Sequence, residues 1–228
     1  MDIMDLLPGP AKPISIAIPG HVLRGNLVIP RVAEGIVVFV HAAGRESLGS
    51  RSVEQRLHAE RLATLRVDLL TSDEALGDPT KNQLRFDIKL LTQRLQAVNA
   101  WLQRTDETAG LHVGLFAGGT TAAVAIKVAA RHPGWVKALV LHVARADLAA
   151  NDLPRVQAPT LLVVGENHHE VWRINHEALA ELNCTKALEV APLTTRPFEE
   201  PSAMERLAWL TGEWFAQHLT AREPAGST

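Results

Sequence analysis

The chain holds one cysteine, Cys184, among 228 residues. A disulfide framework within the chain is therefore excluded, and so is a metal site built from cysteines alone. Charge of one sign is equally scarce. The net charge is -2, which excludes a strongly basic nucleic-acid footprint and an acidic tail. No window is long and apolar enough to read as a membrane span. The first residues carry Asp2 and Asp5 where a secretory leader would carry positive charge, and no long apolar core follows. The expectation is a cytoplasmic protein without nucleic-acid or membrane partners. No internal repeat, low-complexity segment or interdomain linker is visible. A single domain over residues 1–228 is expected, with loose tails at 1–12 and 220–228.

What is present is an alternation of short apolar runs and helical patterns, which argues for a mostly parallel sheet covered by helices. Ile14–Ile18 and Val22–Ile29 read as two strands joined at Pro19-Gly20, a hairpin at the sheet edge. Ile36–Val40 is nearly pure β-branched, as suits a strand buried on both faces. Further strands are expected at Leu65–Leu69, His112–Phe116, Val136–Leu141, Leu161–Val164 and Leu188–Val190. Leu84, Ile88, Leu91, Leu95, Val98 and Leu102 step by four and three along one helix face. Thr120–Arg131 is Ala-rich and reads as a helix packed close to a sheet. Glu177–Leu182 belongs to another helix. A last helix is expected from Ser202, with Glu205 completing a capping box and Leu207, Leu210, Trp214 and Phe215 on its core face.

Four segments resemble the dienelactone-hydrolase-like branch of the α/β-hydrolases. Ile36-Val37-Val38-Phe39-Val40-His41-Ala42-Ala43-Gly44 resembles the strand and loop that build half of an oxyanion hole. Leu84-Arg85-Phe86-Asp87-Ile88 resembles a helix signature of the branch. Gly114-Leu115-Phe116-Ala117-Gly118-Gly119-Thr120-Thr121-Ala122 resembles the nucleophile-elbow strand, turn and helix. Ala158-Pro159-Thr160-Leu161-Leu162-Val163-Val164-Gly165 resembles the strand that leads to the catalytic acid. The resemblance runs from about Ile14 to Leu219. It implies an α/β-hydrolase fold, with a mostly parallel central sheet of about eight strands and helices on both faces.

The resemblance also implies acyl transfer to water through a serine or cysteine acyl-enzyme. That chemistry needs a nucleophile on a sharp G-x-S-x-G turn, then an acid, then a histidine. Matched without gaps, the nucleophile position holds Gly119, the acid position His168 and the histidine position Arg196. A one-residue slip would offer Thr120 as nucleophile, given a nearby base. The plainer reading has Thr120 and Thr121 opening the helix and satisfying its first amides.

Ligands of open α/β sheets sit beyond the carboxyl ends of the strands. The residues there are His41, Ala42, Arg45 and Glu46, then Gly119 and Thr120, then His142 and Arg145, then His168, His169 and Glu170, and Arg196 with Phe198. Imidazole and guanidinium groups dominate. One reading is an anion site, with backbone amides of Thr120 and of the Ala42-Ala43 loop, and Arg196 as a bidentate donor. Another is a histidine acting on water, with His168 foremost. A zinc site from three of the imidazoles is a weaker reading, because the adjacent His168 and His169 point apart in extended chain; no metal or cofactor is assigned. The blander alternatives keep His41 as a structural residue of its loop, His168 to Glu170 as a solvated helix start, and Arg196 paired with Glu199 or Glu200. Arg85 and Asp87 read as a structural pair or cap. Trp172 lines the pocket or packs its helix.

The expectation is a hydrolase-fold protein without ordinary serine-hydrolase activity, monomeric or homodimeric, whose cleft takes a small molecule, an anion by preference. The alternatives are a hydrolase of activated esters or phosphoesters that forms no covalent intermediate, and an interaction protein on a hydrolase scaffold.

Overall fold

The computed structural model describes residues 9–43, 48–76, 83–166, 168–191 and 201–220. Eight strands form one sheet in the order β1-β2-β4-β3-β5-β6-β7-β8. They are β1 Lys12–Ile18, β2 His21–Val28, β3 Gly35–His41, β4 Leu62–Asp68, β5 His112–Gly118, β6 Val136–His142, β7 Thr160–Gly165 and β8 Lys186–Ala191. β1 and β2 form the expected edge hairpin, β2 meets β4 antiparallel, and all later pairs are parallel.

The helices are α1 Leu48–Ala59, α2 Ser72–Leu76, α3 Ile88–Leu102, α4 Thr120–Arg131, α5 His169–Glu181 and α6 Pro201–Leu219. Side chains alternate across each strand, so a continuous apolar run packs two cores at once. On β3, Ile36, Val38 and Val40 face the core shared with α3, α4 and α5. Val37 and Phe39 face the core shared with α1 and α6.

Three local expectations are corrected. Leu84 does not belong to the α3 stripe; it lies in a short 3-10 turn, Gln83–Phe86, and is exposed. Asp87 stops that turn and starts α3, its carboxylate accepting from the Leu90 amide at 2.9 Å, so it is the cap expected of it. The last helix begins at Pro201 rather than at Ser202. Proline suits the first helical position because its missing N–H is one the helix leaves unpaired anyway. Ser202 is thus inside the helix, not capping it. Lys12, expected in a loose tail, pairs with Leu27 in the edge hairpin.

Candidate active site

The elbow lies where β5 hands over to α4. Gly119 sits at the corner with φ 54° and ψ -128°, a region that charges a side chain about 1–3 kcal/mol of strain. Among the described residues, a Cβ built on Gly119 meets nothing within 4 Å. The corner therefore carries no side chain, and no described residue crowds it. Its backbone is tied on both sides to the turn after β6: the Gly119 amide donates to the His142 carbonyl at 3.3 Å, and the Arg145 amide donates to the Gly119 carbonyl at 3.0 Å.

Thr120 begins α4 and is half-buried. The expectation that the two threonines satisfy the first amides of α4 is not met, since no side chain caps this helix. The Thr121 hydroxyl instead donates to the carbonyls of Val40 and Gly118, each at 2.9 Å. It ties the elbow to β3 from below. Thr121→Val keeps the shape and removes the hydroxyl, leaving both carbonyls short of a donor. A loss of about 1–2 kcal/mol in unfolding free energy is expected by denaturant titration.

His41 and His142 flank the elbow from the neighbouring strands. Gly118 pairs with His142 across β5 and β6, and His41 lies one residue beyond the Val40–Ala117 pair of β3 and β5. All three positions face the α1 and α6 side of the sheet. Gly118 is glycine because its neighbour fills the space: an added Cβ would lie 2.3 Å from His142 Cε1 and 2.4 Å from Nε2. The His142 ring also stacks on Phe116, with centroids 4.9 Å apart and planes 23° from parallel. Burial, and then the field of His41, hold His142 down at a pKa of about 4. Burial and the Arg66 guanidinium push His41 down as well. Both imidazoles are neutral at neutral pH and can donate and accept one hydrogen bond each.

The turn carrying His142 is strained and braced. Val143 has φ 48°, a genuine outlier for a β-branched residue. Its amide donates to the Val163 carbonyl at 2.9 Å. The next carbonyl, Ala144, accepts from Asn175 Nδ2 at 2.9 Å, and Asn175, on α5, is fully buried. Sequence reasoning passed over both residues. Asn175 sits between Ile174 and the apolar stripe of its helix, and a polar residue there was the one available signal. Nothing in the sequence marks Val143.

The remaining site residues scatter. Ala42 is half-buried, and its carbonyl accepts from the Leu70 amide at 2.7 Å, which anchors the loop after β3. Arg145 is exposed and holds Asp147 through two bonds of 2.8 and 2.7 Å; that pairing makes it a poor free cation. His168 precedes α5 without a side-chain cap, and His169 is exposed in the first turn. Trp172 stacks on His176 on the outer surface of α5, at 4.8 Å between centroids. Arg45, Glu46, Arg196, Phe198, Glu199 and Glu200 lie outside the described residues. Among the described residues no three histidine, cysteine, aspartate or glutamate side chains converge on a metal position, and no helix is long and apolar enough to cross a membrane.

A groove of about 650 Å³ runs from His41 over the α1 side of β4, β2 and β1, lined by Arg66, Asp68, Arg24, Asn26 and Ser15. Gly119 is not among its lining residues. Arg24 and Arg66 line it together with Asp68, so the groove mixes both signs of charge.

No family model matches the chain. Two Mycobacterium tuberculosis proteins, each named a "putative phosphoribosyl transferase", are 40% identical over 207 residues, covering 90% of this chain and 46% of their own length. The chain thus spans about half the length of these curated relatives. The crystal structure of a dienelactone hydrolase from Anabaena variabilis is 40% identical, covers 92% of this chain and 98% of its own, and superposes with a TM-score of 0.87. Est1E from Butyrivibrio proteoclasticus, at 14% identity and a TM-score of 0.76, shares the fold. Identity of that level, over nearly the whole of a solved dienelactone hydrolase, answers the family question: the chain belongs to the dienelactone hydrolase family of the α/β-hydrolases.

Proposed function

We propose that this member of the family does not form an acyl-enzyme and keeps its cleft as a binding site for a small molecule, an anion by preference. The reading is supported above all by Gly119, which adopts the elbow conformation and offers no nucleophile. The residues that the family resemblance assigns to the other two roles, His168 and Arg196, cannot perform them either: an imidazole does not replace the acid, and a guanidinium does not accept a proton at neutral pH. The backbone of the elbow and of the Ala42-Ala43 loop is independent of side-chain identity, so its amides can still face a negative group. Arg196 would add a fixed positive charge with a bidentate donor.

The phosphoribosyl transferase name of the curated relatives belongs to proteins about twice as long, so that activity is not carried over. It does place phosphate esters first among the anions to test. Titration with ribose 5-phosphate, inorganic phosphate and benzoate, followed by calorimetry, is expected to show saturable binding. Gly119→Ala, whose methyl group projects into the open space over the elbow, should weaken it about tenfold, or 1.4 kcal/mol. Unchanged binding in that variant would remove the elbow from the working site. Accumulation of an acyl adduct on Thr120 after p-nitrophenyl acetate treatment, read by intact mass, would overturn the reading altogether.

A second reading is hydrolysis of an activated ester or phosphoester by water, with no covalent intermediate. The observation favouring it is the pair of neutral imidazoles, His41 and His142, on either side of the elbow strand.

A further inference from the structure

The imidazole of His142 occupies a place that the rest of the molecule is shaped to receive. Three separate features converge on it. The first is the missing side chain at Gly118, where any Cβ would run into the ring. The second is the pair of backbone bonds that lace the turn after His142 to Gly119, one in each direction. The third is the strained Val143, held in its conformation through the adjoining Ala144 carbonyl by the buried amide of Asn175. Strain persists only where surrounding structure over-determines it, and it gathers at working sites.

We propose that His142 is the proton acceptor for a nucleophile held over Gly119, a water molecule in this chain. This rests on the hydrolytic reading above. The family's own histidine position, Arg196, follows β8; the imidazole here comes from the end of β6, on the other side of β7. Water over Gly119 adds to an ester carbonyl: its oxygen bonds to the carbonyl carbon, its proton passes to the imidazole, and the carbonyl π pair moves to oxygen. Collapse re-forms the carbonyl, breaks the ester C–O bond, and returns the proton from the imidazolium to the leaving oxygen. Water supplies every atom added, and no other reactant is required. Burial keeps the ring unprotonated throughout the neutral range, and the same burial makes it a weaker base than a solvated imidazole. Asn175 acts as a positioning residue through Ala144 and does not touch the reacting atoms.

A thiol placed at the elbow reports on the base directly, whatever the natural substrate. In a Cys184→Ser background, Gly119→Cys puts the lone thiol into the open space above the corner. Iodoacetamide alkylates the thiolate, so its rate at neutral pH measures how readily that thiol loses its proton. Adding His142→Gln is expected to slow alkylation by about tenfold or more. Gly118→Ala, which displaces the ring without removing it, should slow it comparably when His142 is present and have no further effect in the His142→Gln background. An alkylation rate unchanged by both substitutions would overturn the proposal. The same question is put to the unmodified elbow with p-nitrophenyl acetate. Turnover above the buffer rate that falls at least about tenfold in His142→Gln supports the assignment, and turnover indifferent to His142→Gln overturns it. Thiol reactivity dependent on His142 in a protein that does not turn over the ester leaves His142 as acceptor and overturns the hydrolytic reading alone.

Discussion

Glu74→Gln is expected to lower the unfolding free energy by about 3 kcal/mol, because it strips the partner from a buried guanidinium. Arg94, on α3, is nearly inaccessible. Its Nη1 donates to the Leu69 carbonyl at 2.7 Å and to Glu74 Oε2 at 2.6 Å, and its Nη2 donates to Glu74 Oε1 at 2.6 Å. Glu74 also accepts from the Thr71 amide at 2.9 Å, while its own amide donates to the Thr71 hydroxyl at 3.3 Å. Those two bonds are a capping box at the start of α2. The Arg94 side chain is 5% exposed and that of Glu74 17%, so solvent screens this pair weakly. Denaturant titration at neutral pH checks the loss.

The same pair sets the acid limb of stability. The Arg94 guanidinium holds Glu74 down from 4.5 to about 2. A carboxyl depressed in the folded state stabilises fully above its unfolded pKa and loses that contribution as pH falls through the folded one. Glu74 therefore contributes above 4.5 and progressively less between 4.5 and about 2. His142 acts earlier. Its folded pKa of about 4 lies below the ordinary 6.5, so the unfolded chain takes up the proton first and stability falls between those values. Unfolding free energies measured from neutral to strongly acid pH should decline in two stages. Glu74→Gln should flatten the second and leave the first. A limb unaltered by the substitution would refute the assignment to Glu74.

Phe215→Ala is expected to cost about 3–5 kcal/mol, the range for emptying a fully buried aromatic site. The ring is 0% exposed on α6. It lies so close to β5 that a Cβ on Gly114 would be 2.5 Å from it. The helix and the strand thus meet ring to backbone, and glycine on the strand side has no side chain with which to refill the hole. The converse change, Gly114→Ala, should cost about 1–3 kcal/mol through overpacking of the same contact. Thermal melts of the two variants check both values. If Phe215→Ala melts like the parent, α6 is not held where the structure places it.

Much of the architecture was legible in the chain itself. Every strand core was readable from runs such as Ile36–Val40, because a sheet covered on both faces needs side chains that are apolar at successive positions and stiff at Cβ. The α3 stripe from Leu91 to Leu102 was equally plain, since its period follows from helix geometry alone. Capping was less so. The pattern Ser202 to Glu205 looked like a capping box and is not one, while Thr71 to Glu74 is one and was passed over. Spacing does not say which of two similar tetrads has its serine or threonine at the helix boundary; the position of the preceding strand decides that.

At the site, residue identity alone determined that the corner carries no side chain, since Gly119 has none in any conformation. That the corner nonetheless keeps φ 54°, uncrowded by any described residue, was decided by the tertiary structure, through backbone bonds to His142 and Arg145. The same holds for the imidazoles. The sequence places His41, His142, His168 and His169 near one edge of the sheet, and the family resemblance puts His168 foremost. Strand register then sets His41 and His142 on the same face beside Gly118, while α5 carries His169 out to its exposed first turn. Register and helix placement are set by the packing of whole elements, summed over many contacts distant in sequence. No local pattern encodes them, and they select which of four histidines meets the elbow.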